Sequence, residues 1–257
     1  MAPKVLKKIT VDLWATDLHS AEIGIRKQEV HQSKERQFSK DMELFAQVEE
    51  DGEKIAYLGF RKEAWKANPQ EQRLVIKSFT DKINWIGSLE EMVAIEFTRS
   101  MAAERSVPSF IVNIAEHKPL IHLEATIPRE IWPGDTYNFY LFHPEQKILN
   151  PFRIREDRLT VGSDWNVNDV TQKKIAKIDG KKFNVGGKFD IEIYDDQIKD
   201  DDVFIQTLIL FSGMLKFRKK IEKRIDDFLD KMREKKAYIE LSKEEVKLYQ
   251  NPRRLAY

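Results

Sequence analysis

The chain has 257 residues, 41% hydrophobic and 34% charged, yet its charges cancel to a formal +1. That is apolar material for one large domain or two small ones, and it sets up no overall field to draw in nucleic acid or an anionic membrane. The absence of cysteine excludes disulfides, thiolate zinc sites and cysteine nucleophiles. The N-terminus lacks the apolar core of a secretory signal, and no apolar run reaches the roughly 20 residues of a membrane-spanning helix, so a cytoplasmic protein is expected.

Ile9, Val11 and Leu13 alternate with polar neighbours, as do Ala21, Ile23 and Ile25, and both runs read as half-buried strands. His31 to Lys40 reads as a loop. Glu43 to Val48 and Ile55 to Phe60 flank Glu50-Asp51-Gly52-Glu53 as a hairpin, and Leu74 to Phe79 reads as a further strand. Ser88 and Glu91 have the spacing of a capping box, with Leu89, Met92, Val93, Phe97 and Met101 near one face, which predicts a helix from Ser88 to just before Pro108. Strand patterns resume at Phe110, Ile121 to Ile127, Tyr137 to Phe142 after the turn Trp132-Pro133-Gly134-Asp135, and Phe152 to Ile154. A meander follows: Trp165 and Val167, the turn Asn168-Asp169, Ile175 to Ile178, the turn Asp179-Gly180, Phe183 and Val185, then Phe189 to Ile193. On that last strand Lys188, Asp190 and Glu192 alternate onto the face expected to meet water.

Val203 to Leu215 is apolar almost all round, so a helix there has to be buried all round. The helical pattern continues with only a stripe, Ile221, Ile225, Phe228, Leu229 and Met232, in a strongly charged tail. Leu241, Ser242, Glu245 and Val246 satisfy a hydrophobic staple and a capping box for a short closing helix. An antiparallel sheet with one apolar face needs covering, and an all-round apolar helix needs an enclosing apolar wall. Both needs are met by a mainly β (α+β) fold, an antiparallel closed barrel or strongly curled sheet wrapped around the apolar C-terminal helix, with one or two accessory helices. The expected organisation is a barrel domain over residues 1–217, with 1–108 read either as completing the barrel or as an added module, and a charged helical extension over 218–257.

The residues Leu159-Thr160-Val161-Gly162-Ser163-Asp164-Trp165-Asn166-Val167-Asn168-Asp169 and Lys177-Ile178-Asp179-Gly180-Lys181-Lys182-Phe183-Asn184-Val185-Gly186-Gly187-Lys188-Phe189-Asp190-Ile191, followed by the apolar helix, resemble the tubby C-terminal-like superfamily, which includes tubby-like proteins, LURP-one-related proteins and phospholipid scramblases. The resemblance covers Tyr137 to Phe217. It implies an apolar helix threaded through a closed barrel and, from the tubby-like members, binding of phosphoinositide headgroups.

Lys173, Lys174, Lys177, Lys181, Lys182 and Lys188 fall within the meander and are the candidate headgroup ligands, to be weighed against an ordinary solvated face of lysines. The stripe Ile221, Ile225, Phe228 and Met232 is the candidate partner or homodimer face, against the plainer reading of a helix packed on its own barrel. Asp190 and Glu192, with Lys188 beside them, are a weaker candidate for a hard cation in a metal-dependent hydrolase, alternating charge on a strand being the plainer account. Asp195, Asp196 and the run Asp200-Asp201-Asp202 lack calcium-loop spacing and fit turn and helix-start chemistry. The five histidines show no metal-binding spacing, and no catalytic fingerprint is present, so no catalytic residue, metal or cofactor is assigned. The resulting reading is a non-enzymatic adaptor for a phospholipid or phosphoinositide headgroup, peripheral on a membrane. The alternatives are a scaffold assembling through its C-terminal helix and a metal-dependent hydrolase; nucleic acid is not the expected partner.

Overall fold

The structure, a computed structural model, describes residues 3–14, 37–66, 71–126, 134–143, 147–157, 164–181, 187–236, 241 and 243–250. Among these, twelve antiparallel strands close into one barrel in the order β1-β12-β11-β10-β9-β8-β7-β6-β5-β4-β3-β2. The strands are β1 (Lys7–Leu13), β2 (Met42–Glu50), β3 (Glu53–Arg61), β4 (Val75–Thr80), β5 (Trp85–Glu91) and β6 (Ser109–Ile114), followed by β7 (Ile121–Thr126), β8 (Thr136–His143), β9 (Ile148–Asp157), β10 (Asp164–Asn168), β11 (Lys174–Lys181) and β12 (Lys188–Ile193). The helices are α1 (Lys62–Lys66), α2 (Val93–Ala103), α3 (Asp202–Leu215), α4 (Arg218–Arg233) and α5 (Lys243–Gln250). Strands β1 to β5 lie within residues 1–108, so this part of the chain completes the barrel, and β1 closes it by pairing with β12 on one side and β2 on the other.

Closure explains the period-two pattern. Ile9, Val11 and Leu13 on β1, and Phe189, Ile191 and Ile193 on β12, all point to the lumen, and a ring of this many strands is too wide for side chains alone to fill. Helix α3 fills it. Phe204, Leu208, Leu210, Phe211 and Met214 are completely buried, and Phe211 meets Tyr137 and Trp165 edge-on at 5.2 and 5.4 Å between ring centroids. Gly213 lets the helix pass close to β3, since a Cβ there would lie 2.8 Å from Leu58 Cδ1. The helix starts on Asp201, whose carboxylate accepts from the amides of Val203 and Phe204, each at 3.0 Å. Asp201→Ala should therefore lower stability by about 1 kcal/mol, read as a shifted urea midpoint with unchanged slope.

The structure corrects four expectations. Ser88 to Glu91 is the end of strand β5, with Ser88 buried and paired between Lys77 and Asn113, and helix α2 begins only after Met92. Its N-terminal amide at Ala94 is capped by Glu245 of α5, at 2.9 Å, a partner with no local signature. Asp179 and Gly180 are no turn but part of β11, opposite Asp190 and Phe189. The long C-terminal helix is two helices, broken at Lys216 and Phe217, because Phe217 turns into a cluster with Phe45, Phe60 and Trp65 at centroid distances of 5.1 to 5.4 Å. The stripe of α4 is not a free face. Ile221, Ile225 and Phe228 are buried and Met232 is partly so, all against the chain's own core, with Phe228 4.4 Å from Phe97 of α2. The strand patterns at Ala21 to Ile25 and at Phe183 and Val185, most of the loop from His31, residues 131–133 of the Trp132 turn, and Ser242 lie outside the described residues.

The barrel thus has two distinct ends. The turn end carries the β2–β3, β4–β5, β6–β7, β8–β9 and β10–β11 connections and the start of α3; the helical end carries α2 and α4, where α3 emerges. Among the described residues no helix is long and apolar enough to cross a membrane.

Candidate functional site

Three of the meander lysines are engaged. Lys173 Nζ lies 2.5 Å from Asp195, Lys174 Nζ lies 5.5 Å from the centre of the Tyr194 ring, and Lys177 Nζ is held by Asp164 at 2.8 Å with Asp179 at 3.6 Å. Burial pulls the pKa of Lys177 down, but the bond to Asp164 and the charges of Asp164 and Asp179 outweigh it and the net shift is upward. Lys188 stands on β12 opposite Lys181, while the Lys181 side chain and all of Lys182 are outside the described residues. Across the outer face Asn166, Lys177, Glu192 and Lys8 form one row, so opposite charges alternate from strand to strand. Among the described residues, the side chains of Lys173 and Lys177 are each tied to their own carboxylate and Lys174 lies over Tyr194.

Asp190 does not meet water. It is buried, accepts from Thr10 Oγ1 at 2.9 Å and pairs with Lys8 at 2.9 Å, a bond that raises the Lys8 pKa. Glu192 accepts from the Tyr194 hydroxyl at 2.7 Å. Asp190 ties β12 to β1 and Glu192 bonds along its own segment, and among the described residues no group of three or more acidic or histidine side chains is placed to hold a metal ion.

The surface feature that sequence periodicity did not isolate is the outer half of the β8–β9 hairpin. The ladder of β7 with β8 stops at Asn138 and that of β10 with β9 stops at Arg153. Beyond these points the pairs Phe139–Phe152, Tyr140–Pro151, Leu141–Asn150, Phe142–Leu149 and His143–Ile148 form a two-stranded ribbon with no third strand among the described residues. Such a ribbon is marginal alone. Its inner face is held by Phe139 and Phe152, stacked at 5.1 Å, with Phe152 5.0 Å from Phe204 at the start of α3, and His143 lies 3.6 Å from the capping residue Asp201.

The outer face of the ribbon is apolar at its tip and basic at its base. On this face Tyr140 is 51% exposed, Phe142 39% and Leu149 58%, with Ile148 46% exposed on the other face at the tip, the largest apolar concentration on the described surface, and Lys147 is exposed beside them. Four residues back from Leu149, Arg153 is exposed and bonds the neutral amide of Asn138 at 3.2 Å, with exposed Arg155 next along the same face. At about 3.4 Å per residue, tip and base are about 14 Å apart. Val170, at the neighbouring β10–β11 turn, is also strongly exposed. Pro151 lacks the amide that strand addition would use, which disfavours docking of another strand along this stretch of β9.

A second concentration of charge lies at the helical end and is sealed from water. Arg224 of α4 reaches Glu91 and Glu96, Arg73 bonds Glu90 at 2.8 Å, and Glu245 caps α2. All six are buried, so this is a clasp between β5, α2, α4 and α5 rather than a reaction site. Burial first, then the charge of Glu91, pushes the Glu96 pKa well up against the pull of Arg224. No family model, curated protein or solved structure matches the chain.

Proposed function

We propose that the protein is a non-enzymatic adaptor that associates peripherally with anionic phospholipid, with the tip of the β8–β9 ribbon entering the headgroup region and its arginines meeting the phosphates. The observation that carries the reading is the order of residues on the ribbon, Phe142 and Leu149 outermost, Tyr140 and Pro151 next, Arg153 and Arg155 at the base. An apolar tip buries about 5–10 Å into the boundary between headgroups and acyl chains, which leaves basic side chains about 14 Å back on the headgroup side. The resemblance to tubby-like proteins supports the same ligand class, and the meander lysines add long-range attraction.

Flotation with vesicles tests this. The full chain should float with phosphatidylserine- or phosphoinositide-containing vesicles at low salt and lose binding as salt rises. Phe142→Ser with Leu149→Ser should weaken binding at least about 100-fold, since each apolar side chain withdrawn from water contributes about 1.5–3 kcal/mol. Arg153→Ala with Lys147→Ala should lower it about 30-fold on anionic vesicles, at about 1 kcal/mol per basic residue near the surface, and leave binding to neutral vesicles unchanged. Wild-type protein that ignores anionic vesicles at low salt, or a Phe142→Ser/Leu149→Ser variant that floats as well as wild type, overturns the reading.

A further inference from the structure

The clasp at the helical end sets four carboxyl groups, Glu90, Glu91, Glu96 and Glu245, against two guanidiniums, Arg73 and Arg224, and all six residues are 7% exposed or less. Buried charges need partners, so the partners can be matched one by one. Arg73 bonds Glu90 at 2.8 Å. Arg224 lies between Glu91 and Glu96 and donates to both, and Glu91 also accepts from the Leu74 amide at 2.7 Å. Glu245 accepts from the Ala94 amide at 2.9 Å, at the positive N-terminal end of α2. Glu96 is left with half a cation: it shares Arg224 with Glu91, and its Oε2 is buried with no hydrogen-bond partner. A carboxyl so placed keeps a proton, and burial first, then the charge of Glu91, raises its pKa against the pull of Arg224, with Glu245 adding to the rise.

The elements that meet at the clasp are not equally anchored. Strand β5 is paired with both β4 and β6, and α2 and α4 pack on each other and on the core through Phe97 and Phe228. Helix α5 has eight residues, too few to be stable alone, and among its described side chains only Glu245 and Leu248 are buried. Leu248 rests on Met92 and Ile111.

We propose that α5 is a proton-controlled latch, docked on α2 and β6 while Glu96 carries a proton and released, baring Met92 and Ile111, when Glu96 ionises. Ionised Glu96 faces the charges of Glu91 and Glu245, while Arg224 is already shared and Arg73, the cation facing Glu245, already bonds Glu90. Glu91 is fixed in the sheet, so Glu245 is the group that can leave. Its departure removes a negative charge and admits water, and both let Glu96 lose its proton more readily. The docked state therefore binds the proton more tightly than the released state, and docking weakens as pH rises. This latch is independent of the ribbon and its lipid.

Hydrogen exchange on the full chain tests it, read as protection factors so that the intrinsic pH dependence of exchange cancels. From about pH 5 to about pH 9 the protection of the Ala94 amide and of residues 243–250 should fall in wild type by up to about tenfold per pH unit, the limit for one linked proton, while Leu89 and Val112 of the strands keep theirs. Glu96→Gln cannot ionise and should hold α5 docked across the range. Glu245→Gln keeps an acceptor for the Ala94 amide, removes the opposing charge and should flatten the profile too, which serves as the second variant where Glu96→Gln does not fold. Protection that is independent of pH in wild type, an unchanged fall in either variant, or strands losing protection in step with α5 overturns the proposal.

Discussion

Leu208→Asp should leave no cooperatively folded protein. Leu208 lies midway along α3, is completely buried, and belongs to the hydrophobic cluster that the helix forms with the strands. An aspartate there either ionises without a partner, at a desolvation cost of several kcal/mol, or stays protonated and leaves its hydrogen-bonding groups unmet. The variant also loses the packing of a leucine, and large-to-small changes at such sites cost about 2–5 kcal/mol. Together these match the whole stability of an ordinary domain, about 5–15 kcal/mol. The loss is not local, because α3 is the only element filling the lumen among the described residues and the strands have no other interior to pack against. Leu208→Met, which conserves volume, should cost less than about 1.5 kcal/mol. Soluble yield, near-ultraviolet circular dichroism and urea titration check the pair. A Leu208→Asp protein with a native-like urea midpoint would mean that this face of the helix is not enclosed.

What the sequence conveyed, and what it did not, divides along the range of the interactions. Helix α3 was legible because burial on all sides leaves a composition no surface helix has. The β2–β3 hairpin was legible because Asp51 and Gly52, at φ +51° and +84°, are residue types that accept such turns. Ser88 to Glu91 misled because the capping-box spacing is local, whereas Ser88 is fixed by β4 and β6 on either side and the actual cap of α2 comes from Glu245, far along the chain. The pairing of Lys173 and Lys177 was hidden because their partners Asp195 and Asp164 are brought beside them only by strand pairing and turns. The ribbon was hidden for a related reason. Tyr137 to Phe142 reads correctly as a strand, but which of its residues lack a lateral neighbour depends on where β7 and β10 stop.

The second large effect is expected at Arg224. Its guanidinium donates to both Glu91 and Glu96 and to the carbonyl oxygen of Gln72, and Glu91 also accepts from the Leu74 amide at 2.7 Å. Arg224→Ala leaves two carboxyl groups buried without their cation, and breaking a buried pair from one side costs about 3–5 kcal/mol. Since Arg224 joins α4 to β5 and α2, much of that loss should appear as early detachment of α4, seen as faster amide exchange at Ile225 and Phe228 than in the barrel strands. Replacing the set together, Arg224→Met with Glu91→Gln and Glu96→Gln, should recover most of the stability, because the uncompensated charge is what destabilises. The clasp also gives a pH signature. Glu96 faces Glu91, Arg224 and Glu245, and its pKa in the folded chain is raised, so the folded state keeps a proton that the unfolded chain releases above the ordinary carboxylate range. Its contribution to stability is therefore full below that range and declines as pH rises toward the folded value. Urea midpoints of wild type should fall relative to those of Glu96→Gln as the pH is raised from the carboxylate range toward neutrality, and parallel curves for the two proteins would show that Glu96 is ionised in the folded chain throughout.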